Sequence, residues 1–108
     1  MLEISTGKLV RVIALAREYG PENAHLRDYI SGLNVDEQVN LVALVWIGRD
    51  SFAADELEDA LDTARRERSA PTEDYLGGMP DLANFIEDGM EALGMNVAHE
   101  EDHLRERD

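Results

Sequence analysis

A chain of 108 residues has room for one hydrophobic core and not for two. Its 24 Asp and Glu against 10 Lys and Arg give a formal net charge of −14. A field of that sign repels phosphate backbones and anionic membrane surfaces, so direct nucleic-acid binding and membrane docking are disfavoured. Cysteine is absent, which excludes disulfides, thiolate catalysis and cysteine-ligated zinc.

Helical spacing recurs along the chain and strand alternation does not. The first predicted helix opens at Ser5 or Thr6 and closes near Gly20 and Pro21. Leu9, Val12, Ile13 and Ala16 share one face, while Val10, Ala14 and Leu15 widen it. So broad a stripe predicts contact with more than one neighbour, and a homodimer burying its remainder is one arrangement it allows. Lys8, Arg11 and Arg17 on the same helix are placed to neutralise acidic faces within the molecule or across such a dimer. The second helix is predicted over about 22–31, with Leu26, Tyr29, Ile30 and Leu33 in one row.

The third helix, about 35–48, carries the clearest signals. Asn34 is placed to cap it, and Glu37 three positions on completes a capping-box pattern. From Val39 to Ile47 every residue except Asn40 is apolar, and a helix apolar all round belongs at the centre of a bundle. Gly48 is read as its end. A fourth helix follows over about 53–68, with Leu57, Ala60, Leu61 and Ala64 inward. Its acids come first and Arg65, Arg66 and Arg68 last, the order that suits the helix dipole, and Asp62 and Arg66 are spaced to pair.

A short extra turn is predicted near 71–76, before Gly77 and Gly78 break the chain. Pro80 fits the first position of a last helix, with Leu82, Phe85, Ile86, Gly89, Met90 and Leu93 as its inward row and Gly94 as its stop. The fold expected is therefore all-α: a compact bundle of about five helices around an apolar central one. A single helical domain over 1–95 precedes a loose acidic tail over 96–108. The longest near-continuous apolar stretch, Leu41 to Ile47, falls far short of the ~20 residues of a membrane span. The opening residues lack the basic start and apolar run of a signal peptide, so a cytoplasmic location is expected.

Four features invite a chemical reading. His99, Glu100 and His103 match the H-E-x-x-H pattern of zinc proteases. They stand in a charged tail with five residues after them, a setting that gives adventitious metal binding rather than catalysis. Asp55, Glu58, Asp59 and Asp62 crowd one helix without the spacing or glycine of a calcium loop, and read as a solvated acidic face. Gly77-Gly78 lacks the context of a phosphate loop. Trp46, Arg49, Asp50 and Tyr75 are the candidate interaction residues, since aromatic and guanidinium groups are enriched where proteins meet. The simpler reading has Trp46 filling the core and Arg49 capping the last carbonyls of its helix. Neither a cofactor nor a metal is expected.

The stretch Asn34-x-Asp36-Glu37-Gln38-x-x-Leu41-Val42-Ala43-Leu44-x-Trp46-x-Gly48-Arg49 resembles the signature of a bacterial domain-of-unknown-function family of short, acidic, all-helical proteins. The likeness continues through Asp55-Glu56, Tyr75-Leu76, Gly78-x-Pro80-x-Leu82 and Gly89 to Gly94, and the opening Leu2-x-Ile4-Ser5 also fits. Ala53 departs from it, standing where the family usually places a hydroxyl residue to cap the fourth helix. The family has no established activity, so the resemblance implies a fold and no catalytic residue. The function expected is a non-enzymatic protein–protein interaction module. An acidic mimic of nucleic acid that occupies a basic protein groove ranks behind it, and a small metal-assisted hydrolase last.

Overall fold

A computed structural model of the chain describes residues 2–20, 22–68 and 71–95. The expected tail over 96–108, with His99 and His103, lies outside the described residues, as does Pro21. Among those described, the chain forms helices α1 (Thr6–Tyr19), α2 (Ala24–Ser31), α3 (Val35–Gly48), α4 (Leu57–Arg66), α5 (Thr72–Gly77) and α6 (Leu82–Ala92). A 3-10 turn, Ala54–Glu56, leads into α4. The bundle is all-α, as the spacing predicts.

Local chemistry sets most of the boundaries. Ser5 caps α1, its hydroxyl accepting from the Lys8 amide at 3.2 Å. Asn23 caps α2, accepting from the His25 amide at 2.7 Å, so α2 begins at Ala24, two residues later than expected. The capping box of α3 forms in both directions: Asn34 Oδ1 accepts from the Glu37 amide at 2.7 Å, and Glu37 Oε1 accepts from the Asn34 amide at 3.0 Å. Ala53 has no side-chain oxygen to offer, and of the two side-chain bonds of a capping box only the return one survives there, from the Ala53 amide to Glu56 Oε1 at 2.7 Å. The first turn consequently tightens to 3-10 and α4 proper starts at Leu57. At the other end α4 stops at Arg66 rather than Arg68. The last helix also starts late: the Leu82 amide bonds to the Met79 carbonyl at 3.2 Å, so Pro80 sits in a tight turn ahead of α6 rather than inside it.

The all-apolar helix takes the centre. Every α3 residue from Glu37 to Val45 is buried, as is Ile47, and the helix packs chiefly on α6 and α4 with α5 alongside. Two buried amides on α3 fasten its surroundings. Gln38 Nε2 donates to the carbonyls of Ile30 (3.0 Å) and Leu33 (3.1 Å), closing the exposed end of α2. Asn40 Oδ1 accepts from the Glu3 amide at 2.8 Å and holds the entering chain. Every buried side-chain nitrogen and oxygen among the described residues has a partner.

Gly48 proves to be a packing residue as well as the last of its helix. A methyl group on it would collide with the Phe85 carbonyl, and one on Gly89 with the Leu44 carbonyl. The α3 and α6 backbones thus touch at two reciprocal glycines. Helix α1 packs on both α2 and α6, which covers most of its wide stripe: Leu15 is buried, Val10 half-buried and Ala14 exposed. Two of its three cations turn to acids within the molecule, Lys8 to Glu37 at 2.5 Å and Arg17 to Glu87 at 2.5 Å. The Asp62–Arg66 pair does not form among the described residues. Arg65 instead reaches Asp36 on α3 at 2.9 Å, and Arg66 turns back to the Thr63 hydroxyl at 3.4 Å. No helix of the described residues is long and apolar enough to cross a membrane.

Candidate functional site

Val39, Val42, Trp46 and Arg49 fall at i, i+3, i+7 and i+10 of α3, one above another on a single face. That face looks into the gap between the end of α4 and the short α5. Ala64 leaves the gap open by contributing only a methyl group, and Glu67, Arg68, Thr72 and Tyr75 complete the walls. The result is a groove of about 360 Å³, mainly apolar, with two guanidinium groups and one carboxylate on its lining.

Trp46 is only partly buried here, contrary to the reading in which it fills the core. Its indole needs a partner for its N–H, and finds one in the exposed Tyr75, Nε1 donating to the phenolic oxygen at 2.9 Å. Phe52 stacks on the ring at 5.7 Å between centroids. The core proper is closed instead by Leu41, Leu44 and Val45 on the other faces of α3. Arg49 closes the helix end through its backbone, its amide bonding to the Val45 carbonyl at 3.0 Å, and not through its side chain. Its Nε donates to the Ser51 hydroxyl at 3.0 Å, while backbone bonds satisfy the terminal carbonyls, Ser51 amide to Trp46 (2.8 Å) and Asp50 amide to Ile47 (3.1 Å). Asp50 makes that reversal with φ at 66° and does not line the groove.

Of the four residues singled out from the sequence, the structure therefore brings three together, Trp46, Arg49 and Tyr75, and leaves Asp50 outside. Sequence reasoning missed Arg68, whose Nη2 donates to Gln38 Oε1 at 2.6 Å. Its spacing of four from Ala64 was visible. That this face meets α3 was not.

A second groove of about 440 Å³ between Leu2, Ile4, Leu57, Leu93 and Met95 is mainly apolar, with Ser5 and Thr6 as its polar side chains. Glu37, beneath Lys8, has its carboxyl held below the ordinary range, first by the bond from the ammonium group and then by the Asn34 amide. That is a tie between α1 and α3. Among the described residues no three His, Asp or Glu side chains gather as a metal site would require. The first groove offers aromatic surface, guanidinium donors and a phenol. Its lining holds no histidine.

A family model described as "Protein of unknown function (DUF3775)" matches residues 23–95, spanning α2 to α6 and every residue of the groove. The chain belongs to the DUF3775 family. No curated protein and no solved structure matches it. The DUF3775 match begins at Asn23, so the likeness read in Leu2, Ile4 and Ser5 falls outside it, and α1 is packed onto the matched region from its N-terminal side.

Proposed function

We propose that this DUF3775 chain is a non-enzymatic protein–protein interaction module whose docking face is the groove between α3, α4 and α5. One observation carries the reading: Trp46, Tyr75, Arg49 and Arg68, drawn from three separate stretches of sequence, converge on one solvent-accessible groove. These are the residue types that dominate binding energy where proteins meet. The charge of −14 directs the choice of partner. Long-range attraction favours a protein of net positive charge, with association that weakens as salt is added. The cysteine-free composition suits a reducing compartment, and the cytoplasm is where we place this encounter.

The test replaces Tyr75 by a photo-reactive phenylalanine derivative, which keeps the ring, and does the same at Glu91, an exposed position on α6. Irradiation in the native cell is expected to give a discrete protein adduct from position 75 and none from position 91. The adduct should disappear when Arg49→Glu is added. No adduct at 75, or the same adducts from both sites, would sink the docking face.

A further inference from the structure

We infer that the second groove and a polar hollow beside it form one further docking face, whose occupant is a basic polypeptide segment with an apolar side chain next to a Lys or Arg. This face shares no residue with the groove of Trp46, so either can fail its test without the other.

Two stretches of chain build both parts. The entering segment is pinned by the Glu3 amide, which donates to Asn40 Oδ1 at 2.8 Å. Leu2 and Ile4 line the groove, and Glu3 between them lines the hollow. The start of α4 divides in the same way, with Leu57 in the groove and Glu58 in the hollow. One turn on, Leu61 and Asp62 continue the wall of the hollow. An apolar cleft of about 440 Å³ thus opens beside a polar one of about 200 Å³. Leu57 and Leu61, at i and i+4 of α4, run from one to the other.

The hollow is where carboxylates gather. Glu3, Glu58 and Asp62 line it, whereas the groove of Trp46 has Glu67 alone. Arg65 shares the hollow and is bonded to Asp36 at 2.9 Å, so that pair adds no net charge and the sum stays negative. The Arg65 guanidinium is held above its ordinary value first by Asp36, and also by Glu3 and Asp62, whose charges therefore reach a cation placed there. A metal ion is a poor match, because no three acids among the described residues gather as it would require. A guanidinium or ammonium group has several donors and a stem that can lie along Leu61, so it needs no such convergence. In the groove, Leu2, Leu57, Leu93 and Met95 are each partly buried around Ile4. An apolar side chain laid on them takes further area out of water.

Charge selects among the occupants. A second copy would bring another −14 to a negative rim. The chain's own end holds Leu104 beside Arg105, but Glu100, Glu101, Asp102 and Glu106 surround them in sequence, and its acids outnumber its bases. A segment of a basic partner offers the apolar and cationic groups without those acids, and the field of the whole molecule draws it in.

The probes are N-acetylleucyl-argininamide, its neutral isostere N-acetylleucyl-citrullinamide, and N-acetylglycyl-argininamide, which lacks the apolar group. Each is titrated into the full chain and followed by amide chemical shifts. The first should bind about tenfold more tightly than either of the others, through charge-assisted bonds in one comparison and leucine burial in the other. The shifts should centre on Glu3, Leu57 and Glu58. Glu58→Gln, at an exposed position, should bring the arginine and citrulline probes within about threefold of each other. Glu18→Gln removes the same charge from the exposed end of α1 and should leave the tenfold gap. Binding of the first probe no tighter than that of either other, an equal loss of the gap in Glu18→Gln, shifts centred elsewhere, or no binding at about 10 mM would overturn the face. So would a probe that splits a dimer, or one that shifts the amides of residues 96–108 together with that of Leu57, since the occupant would then be a second copy or the chain's own end. A cross-link from position 75 alongside any of those results would leave the groove of Trp46 standing and remove only this face.

Discussion

Asp50 shows how much a single side chain settles locally. It holds φ at 66°, the one non-glycine residue described with positive φ, and closes α3 through the reciprocal pair of bonds from its own amide to Ile47 and from the Ser51 amide to Trp46. Gly94 does the same for α6 at φ 83°, with the Gly94 amide bonded to Glu91 and the Met95 amide to Met90. The two helix ends are the same motif, filled once by the favoured residue and once by a tolerated one. Asp50→Gly should therefore stabilise the fold by about 0.5–1 kcal/mol, read as a higher urea midpoint at unchanged slope. An unchanged or lower midpoint would show that the aspartate side chain compensates for its backbone. Trp46 illustrates the opposite case, a residue whose type was conspicuous in the sequence but whose environment was not. Being half-buried with its N–H on Tyr75, it should lose roughly 2 kcal/mol on substitution by Ala, below the ~3–5 of a fully buried aromatic.

Between elements, the α3–α6 contact depends on two glycines. Because a methyl on Gly89 would meet the Leu44 carbonyl and one on Gly48 the Phe85 carbonyl, backbone must move to admit either. Gly89→Ala should cost about 3 kcal/mol or more in chemical denaturation, at the upper end for overpacking because no flexible side chain can yield. A loss under about 1 kcal/mol would mean the helices separate easily. The α1–α3 contact titrates. Lys8 and Glu37 each stabilise the other's charge, and Glu37 also completes the capping box. The Glu37 carboxyl is lowered from its ordinary 4.5, so its contribution is complete above that value and lost as pH falls through the lower folded one. The Lys8 ammonium is raised from 10.5, so its share is complete below that value and lost as pH rises past it. Glu37→Gln should flatten the acid limb of the stability profile below about pH 4. An acid limb identical in the two proteins would show that the bridge is idle.

For the molecule as a whole, the charge of −14 opposes the compact state. The ion pairs from α1 to α3 and α6 and from α4 to α3 relieve this only in part. Sodium chloride raised from about 10 to 150 mM shortens the screening length from roughly 30 to 8 Å. The thermal midpoint should then rise by a few degrees, as self-repulsion is screened more than the close pairs are. A falling midpoint would show that ion pairs outweigh net repulsion. The same charge bears on self-association. With Leu15 covered by the chain itself, the apolar remainder of α1 shrinks to Val10 and Ala14, a small area to set against repulsion between two acidic copies.

What the sequence determined by itself is everything decided within about a turn or two of helix. The all-α class followed from spacing, the central place of α3 from its lack of a polar face, and the α3 boundary from Asn34 and Glu37, because each signal acts between neighbours three or four residues apart. What only the tertiary structure decided is which of those faces meet. Gly48 looked like a helix end and is also a contact with Phe85, and Gln38, which carried no reading of its own, binds Ile30, Leu33 and Arg68. The groove has the same origin. Trp46 is separated in sequence from Arg68 and Tyr75 by more than the reach of any local pattern, and it meets them because α4 ends early, Ala64 is small and α5 is short. Such meetings depend on how helices cross and where each one stops, quantities that the packing of the whole chain fixes at once.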